Sequence, residues 1–132
     1  MRILGALFTD PIDLQWTELP KALWIDRSRF LAPVWLSSLR ADRDLSFSGS
    51  VFLDDLLLDS ARINGSLFLH DDTEFGKVVV TGARIASNLH VTRATITRIF
   101  NGDSINILRS LWMQASSFNN LILNRATVGG DI

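Results

Sequence analysis

With 132 residues, 47% of them hydrophobic, the chain can bury a sizeable core, and its length fits one domain over residues 1–132. A net charge of −1 excludes an overall field for capturing nucleic acid or an anionic membrane, and equally the acidity of a DNA mimic. Without cysteine there is no disulfide framework, thiolate zinc site or cysteine nucleophile.

The first segment, about residues 1–18, is the less regular one. Its opening, Met1 to Phe8, resembles the start of a signal peptide, but Asp10, Pro11 and Asp13 break the apolar run too early. No stretch is long enough to span a membrane as a helix, and cytoplasm is the default location.

From Phe8 onward an anchor returns about every eleven residues. It is Phe8, Leu19, Phe30, Ala41, Phe52, Ile63, Glu74, Ile85, Ile96, Ile107, Phe118 and Gly129, and the two non-apolar anchors have Phe75 and Val128 beside them. Four residues after each come Ile12, Leu23, Val34, Leu45, Leu56, Leu67, Val78, Leu89, Phe100, Leu111 and Ile122, without a polar member. Two further on lie residues such as Ile25, Leu36, Phe47, Leu69 and Val91, ending at Asn124. Two before the anchors sit mostly small residues, among them Ala6, Ser28, Ser50, Ala61, Ala83, Ala94 and Ser116. Each unit therefore holds two inward pairs, each pair spaced by two.

A helix cannot use this pattern. At about 100° per residue the four apolar positions scatter around the cylinder, whereas a spacing of two is the period of a strand. Each unit reads as two very short strands joined by turns. Gly5, Gly49 and Gly82 precede their anchors by three, Gly65 and Gly76 follow theirs by two, and Pro11, Pro20 and Pro33 fall in the gap after the anchor. Two units make a four-sided coil of roughly 22 residues, stacked at about 4.8 Å, so the chain is expected to be an all-β, right-handed parallel β-helix of about six coils. Register slips of one residue are expected near Asp72 to Phe75 and near Ala115 to Phe118. A leucine-rich repeat, the nearest competitor, wants a shorter gap before its Leu-x-Leu pair and an Asn ladder, and neither is present.

The stretches Ala61-Arg62-Ile63-Asn64-Gly65-Ser66-Leu67-Phe68-Leu69 and Ala83-Arg84-Ile85-Ala86-Ser87-Asn88-Leu89-His90-Val91 resemble the Ala-x-Ile-x-Gly-x-Leu-x-Leu units of bacterial pentapeptide-repeat-like proteins. The resemblance covers most of the chain and is clearest from Ser50 onward. It implies a right-handed quadrilateral β-helix with small-x-large pairs pointing inward. The spacing departs from that family, since alternate steps carry one extra residue. Some members inhibit DNA gyrase by presenting a DNA-like acidic surface, which the near-neutral charge here argues against.

Little in the sequence points to catalysis, and no catalytic, cofactor-binding or metal-ligating residue is assigned. A polymer-acting carbohydrate enzyme would stack carboxylates on one outer face, but Asp10 and Asp54 share a corner phase with Ala32 between them, and Asp13, Asp44 and Asp55 scatter. His70 and His90 fall at different phases with no third ligand in pattern. Thr95-Ile96-Thr97 has no repeated ladder for ice binding, and Gly129-Gly130-Asp131 belongs to the repeat rather than to a phosphate loop.

Two outer features are candidates for binding. Trp24, Ser46, Phe68, His90 and Trp112 occupy the solvent-facing position between the second inward pair on alternate units, and Trp35, Leu57 and Val79 do so on the opposite units. Rows of this kind form an apolar strip, with Trp24, Trp35, Phe68, His90 and Trp112 as its candidate interface residues. Arg40, Arg62 and Arg84 each precede an anchor and stack at coil spacing. They are either solvated guanidiniums tilted toward carboxylates such as Asp42, or a contact strip for an anion. The expected role is a non-enzymatic scaffold that self-associates or binds a protein. An anion-binding or nucleic-acid-binding module, or an outer-face carbohydrate enzyme, is the alternative; nucleic acid and a small-molecule substrate are not expected. No polar cap is visible at either terminus, so pairing of an open coil edge, or continuation of the repeat, is a further expectation.

Overall fold

The computed structural model describes residues 1–130; Asp131, with the end of the Gly129-Gly130-Asp131 run, and Ile132 lie outside the described residues. Every ladder is parallel, and strand partners lie about one coil apart, as in Leu45, Leu67, Leu89 and Leu111. The chain is a parallel β-solenoid of six turns, and no helix occurs among the described residues.

Each turn has four faces. The first is a six-stranded sheet of Arg2–Leu4, Leu23–Asp26, Leu45–Ser46, Leu67–Phe68, Leu89–His90 and Leu111–Trp112. The second begins with Leu7–Phe8, Arg29–Phe30 and Val51–Phe52, and the third with Ile12–Asp13, Val34–Trp35 and Leu56–Leu57. These two merge where Glu74–Val79 and Thr95–Asn101 run through the corner between them, and they end at Ser117–Phe118 and Leu121–Ile122. The fourth face is Glu18–Leu19, Arg40–Ala41, Arg62–Ile63, Arg84–Ile85, Asn106–Ile107 and Thr127–Val128.

The two-residue strands are short because their neighbours must turn. One residue in the left-handed region recurs about every eleven positions: Gly5, Trp16, Arg27, Ser38, Gly49, Ser60, Asp71, Gly82, Arg93, Ser104, Ala115 and Arg125. Only three of these are glycine, so most corners hold a side chain where left-handed backbone costs about 1–2 kcal/mol. At Gly82 a Cβ would meet only the Ser60 Oγ, at 3.8 Å, so Gly82→Ala isolates the backbone cost from any clash. It is expected to lower stability by about 1 kcal/mol in urea denaturation, with no loss of β content by circular dichroism. Gly65 has a different reason, since a Cβ there would lie 2.8 Å from the Asp44 amide nitrogen of the preceding coil.

The inward positions build one continuous core. Phe30, Val34, Leu45, Leu56, Ile63, Leu67, Ile85 and Leu89 are all buried. On the second face Phe8, Phe30, Phe52 and Phe75 stack, with centroid separations of 4.8, 4.3 and 4.8 Å, and Phe47 packs edge-on against Phe30 and Phe52. Buried hydroxyls stitch the corners: Ser28 Oγ accepts from the Ala6 amide and Ser50 Oγ from the Ser28 amide, both at 3.1 Å. A second ladder runs from Asp44 through Ser66 and Asn88, each side-chain oxygen accepting an amide from the following coil at 2.8 to 3.2 Å.

Three expectations need correction. Residues 1–18 are as regular as the rest: Ile3, Phe8, Ile12 and Leu19 pair with Ile25, Phe30, Val34 and Ala41. The first register slip is where expected, with Val51 facing Glu74 and consecutive left-handed residues Asp71 and Asp72 taking up the extra residue. The second is not at Ala115 to Phe118, since Ile96 still faces Phe118; it falls after Phe118, where Phe100 faces Leu121. From there the phase moves by one, so Ile122 faces outward beside Asn101, while Leu123, Ala126 and Val128 pack on the core. Gly76 is likewise not a turn residue but lies in Glu74–Val79, at the irregularity between Phe75 and Lys77.

Candidate functional site

The outer column of the first face runs Arg2, Trp24, Ser46, Phe68, His90 and Trp112, in register. Inward Leu23, Leu45, Leu67, Leu89 and Leu111 fill the core below, and strand alternation turns their neighbours to the outside. Phe68 and Trp112 are half-buried and outward: Phe68 stacks on His90 at 4.8 Å and 12°, and the rings of His90 and Trp112 lie parallel to within 12° at 6.5 Å. His70, one corner on, lies 5.4 Å from Phe68 and 5.6 Å from His90. The two histidines, placed at different phases by the repeat, thus join one patch. Adjacency across a corner depends on how the chain bends, which hydrophobic periodicity does not encode.

The row is not continuous. Ser46 is buried, at 5% exposure, and donates to Asp26 Oδ1 at 2.7 Å, while the Ser48 amide donates to the same oxygen at 3.0 Å. This polar knot separates Trp24 from Phe68. Trp24, 36% exposed, is capped instead by the Arg2 guanidinium, 5.4 Å from its ring centroid. Trp35 stands in a half-buried column with Leu57 and Val79 on the third face, away from the others.

Several carboxylates around the solenoid are engaged between coils. Asp71 pairs with Arg93 and lies 3.3 Å from His70 Nδ1, Asp103 bonds Arg125 at 2.8 Å, and Asp59 accepts from Ser37 at 2.5 Å. Burial pushes the Asp71 carboxyl up, but the Arg93 and His70 contacts together outweigh it and hold it below the usual range. Arg40, Arg62 and Arg84 stack in register on the fourth face, as their spacing predicts. Arg40 leans toward Glu18, at 3.7 Å, rather than toward Asp42.

Burial, followed by the neighbouring His70, lowers the pKa of His90; Asp44 and Asp71 act in the opposite direction but do not prevail. A folded-state pKa below the unfolded value of about 6.5 means that the unfolded chain takes up the proton first. His90's contribution is then complete above about pH 6.5 and declines as the pH falls below it. Urea midpoints measured at pH 7.5 and 5.5 should show this decline, and His90→Phe should make it shallower; an unchanged pH dependence in the variant would remove His90 as its source.

No helix among the described residues is long and apolar enough to cross a membrane. No protein-family model matches this chain, and neither a curated protein nor a solved structure matches it.

Proposed function

We propose that this chain is a non-enzymatic scaffold of the pentapeptide-repeat-like kind that self-associates through the first face of its solenoid. The observation that carries the reading is the outward stack of Phe68, His90 and Trp112 on a parallel sheet. Large apolar rings arrayed at coil spacing are poor solvent-facing residues, and a contiguous strip of them marks an interaction surface. Their order suits a second copy. A two-fold axis through His90 sets Phe68 of one protomer against Trp112 of the other, the self-complementary arrangement of an isologous dimer. Three outer carboxylates, Asp59, Asp71 and Asp103, are held in inter-coil contacts, which suits a structural use of these groups.

Phe68→Ser combined with Trp112→Ser should leave the β signal intact and convert a dimer to a monomer in light scattering coupled to gel filtration. A parent protein that stays monomeric at high micromolar concentration would overturn the proposal, as would a double variant that remains dimeric.

A further inference from the structure

The fourth face carries a different surface. Its outer column reads Glu18, Arg40, Arg62, Arg84, Asn106 and Thr127, three guanidiniums on successive coils bounded by one carboxylate and two neutral side chains. All three arginines are exposed, and Glu18 approaches only the first, at 3.7 Å. Of the acids beside the column, Asp103 binds Arg125 and Asp59 accepts from Ser37, while Asp42 is exposed two residues beyond Arg40. On the far side the corner carries Arg43 next to Asp44, whose carboxylate accepts from the Ser66 amide. Within a chain of net charge −1, the column itself thus sets three cations against one carboxylate.

Like charges held about 4.8 Å apart repel one another, and the backbone ladder, not the side chains, sets that spacing. An extended polyanion with one negative group per repeat of similar length relieves the repulsion at every coil. We propose that the Arg40–Arg62–Arg84 ladder binds a linear acidic polysaccharide, a polymer of uronate or sulfated sugars lying along the solenoid axis. A glycan monomer advances by roughly the coil rise, so those acidic groups that turn toward the solenoid come within reach of the ladder, and the planar guanidinium suits bidentate recognition of carboxylate or sulfate. Trp16, 80% exposed, lines the same shallow groove as Glu18, Ser38, Arg40, Ser60 and Arg62, and offers an apolar platform for a sugar ring. A single-stranded nucleic acid fits less well, because it needs successive aromatic platforms for its bases and this face has one.

The test is salt-dependent binding of the full chain to polygalacturonate and to heparin, with oligo-dT as the competing polyanion. The parent should bind a sugar polymer at low salt. Arg40→Gln/Arg62→Gln/Arg84→Gln should reduce the slope of log affinity against log salt by about two, on the order of 0.7 for each charge removed from contact with a single-stranded polyanion. Arg29→Gln/Lys77→Gln/Arg98→Gln, an equal charge loss outside this column, should leave that slope unchanged. Absence of binding to both polysaccharides, equal losses in the two triple variants, or tighter binding to oligo-dT than to either sugar polymer would overturn the proposal.

Discussion

Phe52→Ala is expected to cost about 3–5 kcal/mol, the range for removing a fully buried aromatic ring. Phe52 is the middle of the stack on the second face, with Phe30 at 4.3 Å on one side, Phe75 at 4.8 Å on the other and Phe47 edge-on at 5.5 Å. Its removal leaves a void between coils that neither neighbour can fill, because each is held by its own strand ladder. Phe52→Leu keeps most of the volume and should lose less than half as much. Both follow from urea denaturation read by circular dichroism; equal losses would mean that the stack collapses around the site.

Leu67→Ala and Leu89→Ala should each cost about 2–5 kcal/mol. The two face one another on adjacent coils, and both are fully buried. Ser66→Ala makes an instructive comparison, because Ser66 is itself buried and its Oγ accepts the Asn88 amide at 3.2 Å. Losing that acceptor strands a backbone donor, so a cost of about 1 kcal/mol is expected rather than none. If all three variants lost the same amount, the inward assignment of Leu67 and Leu89 would be wrong. In a stack where each coil touches only its neighbours, such losses should also broaden the transition as coils uncouple from one another.

The periodic residues carried the architecture. Leu23, Leu45, Leu67, Leu89 and Leu111 recur at one phase and are buried at one level of the first face, and the Arg40, Arg62 and Arg84 column followed from the same arithmetic. A solenoid makes this possible because every coil meets the same neighbours, so sequence spacing translates directly into spatial stacking. The corners were less legible. Glycines at 5, 49 and 82 marked their phase, but the same left-handed backbone at Trp16, Arg27, Ser38 and Arg93 has no residue preference that reveals it. Those side chains tolerate the cost because the ladders on both sides impose the turn.

The position of the second slip also escaped the pattern, since Ser117 to Ile122 offers apolar residues at both phases and pairing with Ile96 and Phe100 selects between them. The surface patch depended most on three dimensions. Spacing put Trp24 and Phe68 in one row, whereas the hydrogen bonds of Asp26 with Ser46 and Ser48 divide it, and the corner brings His70 to within 5.6 Å of His90. A repeat determines which residues lie above one another along the axis. Contacts around the coil depend on the bend at each corner, and the residues at those corners vary from one turn to the next.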